Sequence, residues 1–303
     1  VEFCLAVVSS DIYGVNWADI RDNYADDDLI LSGLSHSDSY ETIKSKTNII
    51  LSTFIDDLEA NTIRIPINPA TVIGNWWDNY KVIIDTIIER KMKVILGYWE
   101  GPNGKDGKVD DLNNFWTMWK IITDTYLESS LVYFEIMNEP FGYSKNDWSD
   151  LCQKWLDKFK VPHNRVLIGG TGYDDSVIEM GNDSRFSDCL LSQHLYPFWN
   201  TKLTTENQWL NELKKRIGNH AKRTVISEFG TEMDKTNGIF DYSKINSGDH
   251  RIAFMRAIAT YIYDNNMGCT VWPGLRTKDT YSIYALKQNG NTISLIKNNE
   301  SVI

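Results

Sequence analysis

The chain of 303 residues lacks any run of 18 consecutive apolar residues, so no helix is expected to span a membrane. Basic excess is missing as well. Lys and Arg number 31 against 41 Asp and Glu, a formal net charge of −10. Such a chain is a poor binder of polyphosphate, which argues against nucleic acid and anionic membrane surfaces as partners. The four cysteines, Cys4, Cys152, Cys189 and Cys269, form no CxxC pair, which excludes metal ribbons and thioredoxin-type redox motifs. Cys152 and Cys269 lie on apolar stretches and read as buried free thiols. There is no HExxH motif and His36, His163, His220 and His250 have no paired spacing, so neither a catalytic zinc nor another metal or cofactor is expected. No GxxxxGK[ST] run occurs, and Gly169-Gly170-Thr171-Gly172-Tyr173-Asp174-Asp175 lacks the third glycine of a dinucleotide loop. Asp26-Asp27-Asp28 and Gly104–Asp111 miss the EF-hand register and read as solvated acidic loops. Val1–Ser10 is apolar, but no basic segment precedes it to mark a signal peptide. Glycine- or proline-rich linkers are absent too, which leaves one continuous domain.

What is present is aromatic: 12% of residues, with 11 Trp and 15 Tyr, in a chain otherwise balanced like a globular protein. Many of these residues fall on helical stripes. Tyr80, Ile83, Ile84, Ile87 and Ile88 make one; Trp148, Leu151, Cys152, Trp155, Leu156 and Phe159 a second; Phe115, Trp119, Ile122 and Tyr126 a third. Shorter stripes run through Ile50, Phe54 and Leu58, through Leu210, Leu213 and Ile217, and through Ile252, Met255, Ala259 and Ile262. Between them lie eight β-type runs: 12–17, 62–67, 93–99, 131–137, 166–169, 190–196, 223–229 and 269–272. An eight-fold alternation of this size fits a single-domain (β/α)8 barrel over residues 1–303, with an open doubly wound sheet as the alternative. The polar tail from Thr277 to Ile303 reads as an incomplete last helix.

In such a barrel the site forms where the strands' C-terminal ends open into loops. Arg64 is the one charge in Ile63-Arg64-Ile65-Pro66-Ile67. Strand four ends Phe134-Glu135-Ile136-Met137-Asn138-Glu139-Pro140, strand six runs His194-Leu195-Tyr196, strand seven has Glu228-Phe229-Gly230, and strand eight ends Val271-Trp272-Pro273. Charges inside apolar strands are costly unless paired. One of them would read as a structural ion pair; five at the same end of successive strands read as a site. Glu139 and Glu228, on strands four and seven, form the carboxyl pair that glycosidic bond cleavage needs. Two Glu side chains reaching inward from opposite sides should approach to roughly 5–5.5 Å, the separation of a retaining pair. Indole faces suit sugar rings, and Trp17, Trp76, Trp77, Trp99, Trp199 and Trp272 are candidates. Glu135 reads as a partner for Arg64, and Glu100 as a reserve acid.

The ordered set Gly14-Val15-Asn16-Trp17, Asn61-Thr62-Ile63-Arg64-Ile65-Pro66, Met137-Asn138-Glu139-Pro140, His194-Leu195-Tyr196, Glu228-Phe229-Gly230 and Val271-Trp272-Pro273 resembles glycoside hydrolase family 5, in family order over about residues 12–275. The resemblance implies a retaining barrel hydrolase with Glu139 as acid/base and Glu228 as nucleophile. It further implies that Asn138 binds the sugar 2-hydroxyl, Arg64 and Tyr196 keep the nucleophile ionised, His194 supports the acid/base, and Trp272 floors the −1 subsite. The family commonly carries a His at the end of strand three; here Val94-Ile95-Leu96-Gly97-Tyr98-Trp99-Glu100 puts Trp99 there. The implied function is a secreted or cell-surface, monomeric β-glycanase acting on polysaccharide, foremost an endo-β-1,4-glucanase. Mannan, xylan or mixed-linkage glucan, an exo-acting glycosidase, and a non-catalytic glycan-binding barrel stay open.

Overall fold

The computed structural model describes residues 7–22, 25–101, 105–235, 238–290 and 292–302. Cys4, most of the N-terminal apolar stretch and Gly104 lie outside them. Eight parallel strands close on themselves: β1 (Tyr13–Trp17), β2 (Thr62–Ile67), β3 (Lys93–Tyr98), β4 (Val132–Glu135), β5 (Val166–Gly169), β6 (Leu190–Leu195), β7 (Thr224–Phe229) and β8 (Gly268–Leu275). Each pairs with the next, and β8 returns to β1 through Tyr13–Cys269 and Val15–Val271. The chain is a (β/α)8 barrel, as the alternation predicts.

The helices are α1 (Tyr40–Leu58), α2 (Pro69–Ile73), α3 (Trp77–Glu89), α4 (Leu112–Tyr126), α5 (Lys145–Phe159), α6 (Ile178–Gly181), α7 (Glu206–Ile217) and α8 (His250–Asn265). Their starts are set by side chains that accept otherwise orphaned backbone N–H groups. Ser39, Asp111 and Ser144 do so for α1, α4 and α5, and Thr205 with Gln208 forms a capping box on α7. All six α5 stripe residues are buried, as are the four of α4. Trp119 meets Trp155 edge-on at 5.2 Å, so the aromatic surplus largely seals helices to one another outside the barrel. The α8 stripe is different. Its buried side is Ile252, Ala253, Phe254, Ala257, Ile258 and Tyr261, so of the stripe Ile252 is buried, whereas Met255, Ala259 and Ile262 line a groove of about 640 Å³ outside β1 and β8.

No helix follows β8 among the described residues. The tail is instead a hairpin, β9 (Tyr284–Asn289) and β10 (Thr292–Lys297), joined to the barrel at Leu275–Tyr284. It packs on α1, with the Tyr284 ring 5.9 Å from Phe54 and its hydroxyl donating to Asp57. The expected last helix is therefore corrected to a two-stranded ribbon. Its alternation buries Ile293 while Thr292 and Ser294 stay exposed.

Candidate active site

Inside the barrel the side chains change character along each strand. Near the N-terminal ends Ile95, Tyr133, Leu167, Leu190 and Val225 meet in one apolar layer. Two residues further on, the same inward face carries Gly97, Glu135, Gly169, Ser192 and Ser227. Arg64 enters this upper layer from β2 and is almost fully buried. Its Nε donates to Glu135 Oε2 at 2.6 Å, Nη1 to Glu228 Oε1 at 2.5 Å and Asn16 Oδ1 at 2.8 Å, and Nη2 to Asn138 Oδ1 at 2.7 Å. A buried guanidinium is tolerable only when its donors are met in this way. Asn16 donates onward to the Ser227, Thr270 and Val271 carbonyls. Glu135 takes a second hydrogen bond from Ser192 Oγ at 2.5 Å. Glu135 is thus the partner of Arg64 that its place in strand four suggested.

Glu228, near the end of β7, accepts from Arg64 on one oxygen and from the Tyr196 hydroxyl, at 2.8 Å, on the other. Glu139 follows β4 with a left-handed backbone, φ 51°. Its N–H donates to Asp174 Oδ2 at 2.9 Å, and its Oε1 is 3.0 Å from His194 Nδ1. The same nitrogen is 3.6 Å from Glu228 Oε2. One carboxylate oxygen from each Glu and this imidazole nitrogen lie within 4.8 Å of one another.

The two carboxyls are shifted in opposite directions. Burial raises the Glu139 pKa, and although His194 and Arg64 pull it down, the group stays above its ordinary value, helped by the charge of Glu228. Burial also opposes charge on Glu228, but His194, Arg64 and the Tyr196 hydroxyl together hold it below its ordinary value. His194 is pushed up to about 9: burial disfavours its charge, and Glu228, Glu139 and Asp174 outweigh burial. The Tyr196 hydroxyl is raised by burial and by Glu228, so it remains a donor.

Trp99 and Trp272 stand beside this pair, ring centroids 5.5 Å apart, in a cluster with Ala18 and Tyr196 and with Tyr281 against it. An aromatic rim leads away from Glu139. Phe141 stacks on Tyr173 at 4.2 Å, and Tyr173 lies 6.4 Å from Trp199; Tyr173, Phe198 and Trp199 are exposed.

Seven of the nine candidate residues therefore adjoin one another: Glu139, Glu228, Arg64, Asn138, His194, Tyr196 and Trp272. Trp99 adjoins them through Trp272. Trp17 does not belong. It is fully buried outside the barrel and donates its indole N–H to the Ser32 carbonyl. The physical reason is strand parity: Asn16 pairs with Arg64 and faces in, so Trp17 faces out. Trp76 and Trp77 are likewise core, the former stacked on His36 at 4.5 Å. Glu100 is spent on its own loop, accepting from the Gly107 and Lys108 backbone, with a pKa raised by burial to about 7. Asp110 and Asp111 bind the Gly101 and Asn114 N–H groups.

Two residues at the site escaped the sequence reading. Asp174 sits in the rejected glycine-rich segment after β5; its position past a strand end was the signal. Asp22 lies in the β1 loop near Arg276 and feels both Glu139 and Glu228; burial chiefly raises it to about 6. The Glu139–His194–Glu228 donors are close enough for a cation, as are Glu135, Asp174 and His194. Both oxygens of Glu228 are already engaged by Arg64 and Tyr196, which fits an anionic nucleophile better than a metal ligand.

A barrel with two glutamates facing each other at its C-terminal mouth, one with its pKa raised and the other with its pKa lowered, is the frame of a glycoside hydrolase. The profile of the cellulase family, glycosyl hydrolase family 5, matches residues 23–274. The chain belongs to that family. Among solved structures it is similar to the catalytic domain of Thermobifida fusca endoglucanase Cel5A in complex with cellotetraose. The identity there is 19% and the TM-score 0.59, covering 91% of this chain and 83% of that one. It is also similar to Cel5A (EG2) from Hypocrea jecorina, at 14% identity and TM-score 0.60, covering 95% and 96%. No curated protein gives a significant match.

Proposed function

We propose that the protein is a secreted, retaining endo-β-1,4-glucanase in which Glu228 attacks the anomeric carbon and Glu139 protonates the leaving oxygen. The observation that carries this reading is the pair of carboxyls on opposite strands, with oxygens within 4.8 Å and pKa values pushed apart. An inverting pair needs about 6.5–9.5 Å, to leave room for a water. Arg64 and Tyr196 hold Glu228 ionised for attack. As the glycosyl-enzyme forms, Glu139 gives up its proton; it then takes one from water during hydrolysis. The amide of Asn138, fixed by Arg64 through its oxygen, presents its N–H groups to the sugar 2-hydroxyl, and Trp272 packs on the ring of the sugar being cleaved. The cellotetraose-bound Thermobifida fusca relative supports a β-1,4-glucan as the substrate.

Viscosity of carboxymethylcellulose should drop before much reducing sugar appears. Proton NMR of the first product should show the β-anomer. Slow viscosity loss with steady release of short sugars would replace endo by exo action. An α-anomer formed first would remove the nucleophile role from Glu228.

A further inference from the structure

Behind the acid/base lies a buried carboxyl with unfinished bonding. Asp174 is fully buried in the loop after β5. Gly172, Tyr173 and Asp174 have successive φ values of 101°, 61° and 53°, a strained left-handed run that turns the Asp174 side chain inward. Strand β5 gives up its own side chain to make room: a Cβ on Gly169 would lie 1.7 Å from Asp174 Oδ1. The residue ties two strands together. Its Oδ2 accepts from the Glu139 N–H, and its carbonyl accepts from the His194 N–H at 2.8 Å. His194 Nε2 faces the same Oδ2 at 3.8 Å. Both His194 Nε2 and Asp174 Oδ1 lack a hydrogen-bond partner among the described residues, although both are buried.

We propose that Asp174 is a positioning residue for the acid/base, holding the Glu139 backbone and the far edge of the His194 ring so that Nδ1 meets the Glu139 carboxyl. The groups facing that ring come from several elements. Glu139 follows β4, Glu135 lies on β4, Asp174 follows β5 and Glu228 lies on β7. Tyr196 and Arg64 stand one contact further, on Glu228. Four carboxyls thus share two cations, Arg64 and His194. Burial raises both Glu139 and Asp174 above their ordinary values.

The role rests on the glycosidase reading of Glu139, so the experiment has one arm that needs no turnover. The His194 ring is titrated by ¹⁵N NMR in wild type, Asp174→Asn and Asp174→Ala, and kcat/KM on an aryl β-cellobioside is measured against pH in each. In Asp174→Asn the carboxamide keeps the shape and its oxygen still accepts from the Glu139 N–H, but the acidic group that helps raise the His194 ring is gone. The ring should then lose its proton about one pH unit lower or more. Without that cation, Glu228 and Glu139 both lose a group that lowers them, so both limbs of the rate profile should move to higher pH. A ring titration unchanged in both variants overturns the proposal. So does a profile lowered at every pH with its limbs in place, which is what a purely structural role gives. If Asp174→Ala does not fold, Asp174→Asn decides alone. If wild type cleaves no glycoside, the glycosidase reading fails and the ring titration still tests the contact.

Discussion

The two inner layers of the barrel differ by only two residues along each strand, yet they are built on opposite principles. Ile95, Tyr133, Leu167, Leu190 and Val225 fill the lower layer by volume and shape. The upper layer, from Asn16 and Arg64 to Glu135, Ser192, Ser227 and Glu228, is filled by hydrogen bonds. Small residues on neighbouring strands accompany that change. A Cβ on Gly97 would lie 2.7 Å from Glu135 Oε2, and the Gly169 position is taken by the Asp174 carboxyl. The lower layer stabilises the barrel. The upper layer spends some of that stability on keeping Glu228 charged in a dry place.

The largest effect expected is on chemistry alone. Glu228→Gln keeps the size of the side chain and removes the carboxylate proposed as the nucleophile. Turnover should fall by ~10³ or more while the melting temperature stays near that of wild type. Near-normal turnover would remove Glu228 from the mechanism. Wild-type rate should follow a bell in pH. Its acid limb comes from Glu228, held below its ordinary value, and its alkaline limb from Glu139, held above its own. A rate flat from acid to alkaline pH would contradict the carboxyl assignment.

Arg64→Met tests the upper layer as a whole. It strands Glu135 and Glu228 without their cation, and breaking a buried pair from one side costs about 3–5 kcal/mol. The sign with pH follows from Glu228. Its depressed pKa contributes stability that is present above 4.5 and lost as pH falls through the folded value. The deficit of the variant should therefore be greatest near neutral pH and shrink in acid. Urea unfolding at several pH values would check this, and a deficit independent of pH would show that Arg64 acts by packing.

Leu167→Ala is the matching test of the lower layer. Leu167 is fully buried. Removing it should cost about 2–5 kcal/mol, set by the cavity left behind. The loss should be the same at every pH, with the shape of the rate profile unchanged. A moved pH optimum would mean that the layers are coupled.

The sequence made the lower layer and the helices easy to read, because both repeat. Strand alternation fixes which residues face in, and the six-residue stripe of α5 is wholly buried. The same rule was available for Trp17: with Asn16 inward beside Arg64, the indole had to face out. Aromatic type outweighed parity there. The β9–β10 hairpin also left a trace in Gly290 just past β9 and in Ile293-Ser294-Leu295, hidden by the polar residues around it. Asp174 was harder. It contributes through a backbone bond to Glu139 and a left-handed turn, neither of which has a sequence period. The motif residues were legible because each sits at a strand end, where a charge has few other reasons to be.

The smallest effect belongs to Trp99, at the edge of the upper layer, where the family commonly carries a His. Its ring is buried against Trp272 and clusters with Tyr196, so it touches the groups around Glu228 without bonding to either carboxyl. It has two possible roles. As a wall of the sugar site, Trp99→Ala should weaken oligosaccharide affinity by about 1 kcal/mol. As a prop for Trp272, it should instead let that ring turn and lower kcat. Calorimetric titration of cello-oligosaccharide into the inactive Glu228→Gln background separates the two. Weaker binding with the kcat of the Trp99→Ala enzyme retained assigns Trp99 to the sugar. Unchanged binding with a lower kcat assigns it to Trp272, and the upper layer then extends one ring further than its hydrogen bonds.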